Sequence, residues 1–216
     1  MGRIFAAIIA IVGWLSLILQ FILQMTNPVT PEPGAAERFV RFFSYFTVTT
    51  NIIVAITVTA IAFLPATKFG SFFSRASVQV AVTSYISIVG IVYSLFLRSV
   101  WDPAGWNAVA DHALHDVMPI LTIVYWLAFA PKSGIKLTDP FKWLAYPLIY
   151  IAYSLIRGAV VGWYPYWFVD VTQLGYPTAL TNTAFVVVAF AVVGLVYAAI
   201  SKLFSRQTPI EAEQQI

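Results

Sequence analysis

Six runs of apolar residues alternate with short polar stretches along this chain. They cover residues 4–25, 39–64, 78–97, 110–130, 143–162 and 180–203. Each is near the roughly 20 residues a helix needs to cross a bilayer. The stretches between them carry the Gly, Pro and Asp that punctuate helices: TNPVTPEPGAAE leads into the second run, and Pro65 closes it. No solenoid-length repeat or low-complexity tract interrupts the pattern. The first run is longer than the usual apolar region of a signal peptide, about 7–15 residues, and no small-x-small site follows it. It therefore reads as a retained membrane helix. The pattern predicts an all-α polytopic membrane protein. Residues 1–204 form a single six-helix transmembrane domain, and residues 205–216 form a polar, disordered cytoplasmic tail.

Composition agrees. The 216 residues are 60% hydrophobic and 10% charged, with mean hydropathy +0.84. A soluble domain carries about a quarter charged residues, so lipid must be the solvent for most of this surface. The absence of cysteine excludes a disulfide framework and a thiolate metal site. The net charge of +3 lies mostly in short loops and reads as topology, with no nucleic-acid partner. With the N-terminus in the cytoplasm, Arg3, Lys68, Arg75, Lys132, Lys136, Lys142, Lys202 and Arg206 are all cytoplasmic. Only Arg38 and Arg98 fall at the other face. This bias predicts both termini inside, in a multi-pass protein of the inner (plasma) membrane. The outer loops then carry Trp101, Trp106, Trp163, Tyr164, Tyr166, Trp167 and Tyr176, aromatics suited to the headgroup level.

Orientation gives depth. At about 1.5 Å per residue, Thr47 lies on the order of 13 Å along a second helix that enters near Arg38, with Thr50 and Asn51 one turn deeper. His112 and His115 fall in the first two turns of the fourth helix. Arg157 is little more than a turn from the end of the fifth, and Thr181, Asn182 and Thr183 open the sixth. Polar groups of four helices thus share the outer half of the membrane, where such groups usually face a cavity or one another. One polar pocket is expected there. Single Ser and Thr residues are most simply explained by bonds to their own backbone, and Arg41 by snorkelling.

Both histidines and two of the nine acids fall in one hexapeptide, DHALHD, residues 111–116. Helical spacing pairs Asp111 with His115 and Asp116 with His112, both at i, i+4. A carboxylate on one imidazole nitrogen fixes the tautomer and makes the other nitrogen a better base. Pro119 loosens the helix and frees backbone carbonyls. A histidine base without cysteine needs a Ser or Thr nucleophile, and Thr47 and Thr50 are at similar depth. Asn51, Arg157 or Asn182 would hold an oxyanion or a carboxylate. Metal binding is the weaker reading, because a catalytic zinc wants about three protein ligands and no third histidine exists. No cofactor is expected. A lipid or carboxylate binder, a small transporter, and an assembly protein with polar glue are the rival readings. Transport usually places its site near the midplane between repeats, and no repeat is present.

Three segments in this order, FSYFTVTTN, DHALHDVMP and YSLIRGAVVGWYPY, resemble the androgen-induced-protein family of six-pass membrane proteins, more closely its bacterial branch. The resemblance extends over roughly residues 4–204. It implies a threonine hydrolase of fatty-acid esters of hydroxy fatty acids, with Thr47 as nucleophile and His115 as base. A lipid or fatty-acyl ester would be the substrate. His112 would be the neighbouring histidine, and Trp163–Pro165 would match an aromatic-Tyr-Pro feature. The chain departs from the eukaryotic pattern in three ways: the shorter spacing from His115 to Pro119, an arginine at 157 where a histidine is expected, and the added Thr50 and Asn51.

Overall fold

The structure, a computed structural model, describes residues 1–26 and 33–206. Among them helices α1 (Gly2–Thr26), α2 (Ala35–Ser44), α3 (Phe46–Phe63), α4 (Lys68–Phe73) and α5 (Ala76–Val92) come first. They are followed by α6 (Trp106–His112), α7 (Met118–Phe129), α8 (Asp139–Trp143), α9 (Ala145–Val161) and α10 (Val171–Arg206). Two π-helical turns, Tyr93–Leu97 and Ala113–Val117, extend α5 and join α6 to α7. Six segments are long and apolar enough to span a bilayer, and the protein is an all-α, multi-pass membrane protein.

Each helix's position in the bundle follows from which faces are apolar and small. On α1, Ile4, Ile8, Ile11, Leu15, Ile18 and Ile22 recur at alternating steps of four and three and are exposed, forming a lipid-facing stripe. The opposite stripe, Ala6, Ala10 and Gly13, is buried and lets α3 and α7 approach closely. A Cβ on Gly13 would sit 2.8 Å from Met118 Cε. Helices α3 and α5 are buried over most of their length and form the centre of the bundle, with α1, α7 and α10 around them.

The upper end of the bundle carries α2 and the loops 98–105 and 162–170. The lower end carries the N-terminus, α4, the loop 130–138 and the end of α10. At the lower end, basic side chains close helix C-termini. Arg3 donates to Ala62 O at the end of α3, and Lys132 Nζ donates to Trp126, Leu127 and Ala130 O at the end of α7.

Three expected boundaries are corrected. The second apolar run is not one helix: Tyr45 is extended (φ −85, ψ 129) and separates α2 from α3. The sixth helix begins earlier, at Val171, breaks at Gly175 (φ 71), and resumes through Pro177. The polar tail is helical through Arg206, and residues 207–216, expected to be disordered, lie outside the described residues.

Candidate functional site

The break at Tyr45 has neither Gly nor Pro to cause it. Hydroxyls from α9 stand in for the missing ladder bonds. Tyr150 Oη donates to Ser44 O at 2.8 Å and accepts from Phe46 N at 3.1 Å, and Tyr153 Oη meets Ser44 Oγ at 2.8 Å. Most buried Ser and Thr residues of the bundle bond the carbonyl four residues back in their own helix, as Thr57, Thr83, Ser84, Thr122 and Ser201 do. Thr47 stands in the first turn of α3, and the residue four before it belongs to α2. Its hydroxyl is therefore released from the helix backbone, and its N–H donates to Tyr166 Oη at 3.3 Å.

The opposite wall is the π-helical turn in ALHDV. There the Met118 N–H bonds Ala113 O, five residues back. In that register the next donor would be residue 119, a proline without an N–H. The vacated Leu114 carbonyl accepts from Asn51 Nδ2 at 3.2 Å, and the same amide group donates to Thr47 O at 2.8 Å. Asn51 is fully buried. It thus ties the first turn of α3 to the π-helical turn, and so Thr47 to His115.

Thr47 Oγ1 lies 3.2 Å from His115 Nε2. On the other side of the ring, His115 Nδ1 faces the Asp111 backbone oxygen at 2.9 Å and Asp111 Oδ1 at 3.2 Å. Both neighbours of Nδ1 are acceptors, so Nδ1 carries the proton and Nε2 is left to accept from the threonine. Tyr93 donates to Asp111 Oδ2, and its ring stacks on the imidazole with centroids 4.0 Å apart. Asp111 is 6% exposed and Thr47 8%. A buried carboxylate, an imidazole and a hydroxyl are thus aligned in series.

Two cavities share Thr47 in their lining. A polar cavity of about 440 Å³ lies above it, lined by Arg38, Arg41, Tyr45, His115, Trp163 and Tyr166 among others. A narrow apolar cleft of about 60 Å³ runs between α5, α9 and α10, lined by Ile88, Val92, Ile151, Val186 and Phe190 among others. Thr47, Leu97 and Tyr166 line both. The loop that supplies Trp163 and Tyr166 is held by Tyr164, whose ring covers Gly158. A Cβ there would fall 2.0 Å from Tyr164 Cε1.

The remaining residues expected at the site divide. Asp111 lines the polar cavity, and Asn51 supports it from below. His112 turns outward, 58% exposed, and joins Asp116 at 2.8 Å. Asp116 also accepts from Arg98. Thr50 faces the other way, to Tyr146 Oη at 3.0 Å. Asn182 donates to Phe168 O and steadies the 167–169 turn. Arg157, expected to hold an oxyanion, instead bonds Glu37 Oε1 at 2.6 Å and stacks over Trp163. Neither Arg157 nor Asn182 lines the cavities, because equal depth does not imply the same side of a helix. Burial opposes ionisation of Glu37, but the hydrogen bonds and charges of Arg41 and Arg157 outweigh it and hold the carboxyl below its ordinary value. Burial pushes the Tyr166 hydroxyl up, so it stays un-ionised.

Tyr93, Tyr166 and Arg38 were not singled out by sequence reasoning as members of the site. The WYPY segment was the one available signal for Tyr166. Among the described residues no group of three or more His, Asp or Glu is placed to hold a metal. No family model, curated protein or solved structure matches the chain.

Proposed function

We propose that this membrane protein is a threonine-dependent hydrolase of lipid esters, the activity implied by its resemblance to the androgen-induced-protein family. The observation that carries the reading is the Thr47 Oγ1–His115 Nε2 contact of 3.2 Å, backed on Nδ1 by Asp111. Thr47 Oγ attacks the ester carbonyl while His115 Nε2 takes its proton. The tetrahedral intermediate collapses to an acyl-threonine, and His115 returns the proton to the departing alcohol. Water then attacks the acyl group with His115 again as base, releasing the acid and restoring the hydroxyl. Asp111 holds the tautomer and stabilises the imidazolium.

Oxyanion donors are available at the start of α3. The Val48 N–H follows the nucleophile, the placement used where a nucleophile precedes a helix. The Tyr166 hydroxyl accepts from Thr47 N at 3.3 Å and stands beside the nucleophile as the second candidate donor. The apolar cleft suits an acyl chain entering from lipid, and the polar cavity suits the alcohol half. With the N-terminus in the cytoplasm, the site opens toward the outer face of the inner membrane. Fatty-acid esters of hydroxy fatty acids fit this division, with the carboxylate end in the polar cavity. The binder reading relied on Arg157, which Glu37 already occupies.

The test is turnover of an ester panel by purified protein in detergent. Wild type is expected to release fatty acid, and Thr47→Ala and His115→Ala are expected to be inactive while melting at similar temperatures. Equal turnover by Thr47→Ala would end the proposal.

A further inference from the structure

The upper cavity is lined by two arginines, a charge that an ester without an anionic group would leave unmatched. Its charged lining residues are Arg38, Arg41 and Asp111. Asp111 is already engaged by Tyr93 and His115. The Arg38 side-chain Nε is buried without a hydrogen-bond partner among the described residues. Arg41 uses Nε on Glu37 at 2.7 Å and lies over Trp163 at 4.7 Å. Arg157, behind it, shares the same Glu37 oxygen and lies over the same indole at 4.9 Å. Its side chain is 10% exposed and its Nη1 is buried without a partner.

Among the described residues, Glu37 and Asp111 stand against the guanidinium groups of Arg38, Arg41 and Arg157, which leaves one positive charge in excess around this cavity. Gln20 and Gln24, one helical turn apart on α1, add amide donors to the same cavity. A partly buried excess charge is costly unless a ligand compensates it. Guanidinium groups suit planar or bidentate oxyanion recognition. A carboxylate presents two oxygens, whereas a phosphate monoester presents three to the donors of Arg38, Arg41 and the two glutamines.

We propose that this wall is a phosphate subsite, and that the ester taken by the site is a single-chain acyl ester of a phosphorylated alcohol. In this arrangement one acyl chain enters the apolar cleft, Thr47 stands where the two cavities share their lining, and the phosphate meets Arg38 and Arg41. This rests on the hydrolase reading for its orientation of the ester, but binding tests it without cleavage.

The experiment is binding of ether-linked probes, which cannot be hydrolysed, to the purified full chain in neutral detergent. Hexadecyl glycerophosphate is compared with hexadecylglycerol, hexadecanoate and inorganic phosphate. The phosphate ether is expected to bind on the order of tenfold tighter than the neutral ether, and tighter than hexadecanoate. Arg38→Gln should remove most of that advantage, leave the neutral ether's affinity unchanged, and be partly rescued by Arg38→Lys. Arg38→Gln keeps the backbone bond to Gly34 O and removes no hydrogen bond at Nε, and a thermal melt checks that the variant folds. Equal binding of the two ethers by wild type would overturn the proposal, as would an undiminished advantage in Arg38→Gln. Equal binding of hexadecanoate would make the wall a carboxylate subsite instead. Displacement of the phosphate ether by inorganic phosphate at similar concentration would make it a free-phosphate site. If phosphate binding is found but no ester is cleaved, the hydrolase reading fails and the subsite stands.

Discussion

Arg3 and Lys132, at the lower end, donate to carbonyls at the ends of α3 and α7. Thr47, His115, Asp111 and Tyr93, at the upper end, bond one another across three helices. Both sets are polar groups in a lipid-solvated bundle, and both must be satisfied. The lower set uses acceptors that any helix provides. The upper set needs two departures from regular helix, the extended Tyr45 and the π-helical turn before Pro119. A side chain bonded to a helix's own spare carbonyls supports the fold. A side chain freed from them by a deliberate irregularity is available for chemistry.

The comparison is broken most severely at Thr47. Thr47→Ala is expected to lower ester turnover by about 10³ or more with little change in melting temperature. Thr50→Val, three residues on but facing Tyr146, should keep most activity and lose about 1–3 kcal/mol of stability from its buried hydrogen bond. Steady-state kinetics and thermal melts on both variants check this.

The two histidines give the next contrast. Asp111→Asn should lower kcat by roughly 10²–10⁴, because the imidazolium formed in the reaction loses its carboxylate counter-charge while the Asp111 carbonyl oxygen still holds Nδ1–H. His112→Ala, on the exposed side of the same turn, should change kcat less than about threefold, as expected for an exposed ion pair. Kinetics at saturating substrate separate them.

A smaller effect is expected at Glu37. Its pKa lies below the ordinary value of 4.5, so it contributes stability above that value. The contribution fades as pH falls through the lowered value and protonation breaks the pairs with Arg41 and Arg157. Melting temperature should therefore drop more steeply below about pH 4.5 in wild type than in Glu37→Gln. Parallel curves would show that Glu37 does not clamp α2 to α9. The least effect belongs to the lower end: Lys132→Ala should cost about 0.5–1.5 kcal/mol and leave turnover unchanged.

The six spans were legible because lipid demands long apolar runs. The pairing of Asp111 with His115 and Asp116 with His112 was legible because it is local helical spacing. The break at Tyr45 was not, since FFSYFT carries no Gly or Pro, and the cause lies on α9 in Tyr150 and Tyr153. Arg157 and Asn182 were grouped with the pocket by depth alone. Depth follows from position along a helix, but facing depends on how the helices pack. Tyr93 was hidden for the same reason: one tyrosine among eleven, distinguished only by the imidazole it stacks on.

The most direct measurement is fluorophosphonate labelling of the purified protein, with mass spectrometry to locate the adduct. An adduct on Thr47 that disappears in His115→Ala is the predicted result. Well-folded protein that stays unlabelled under conditions that label a known threonine lipid hydrolase, or that is labelled equally in His115→Ala, would contradict an activated nucleophile at this site.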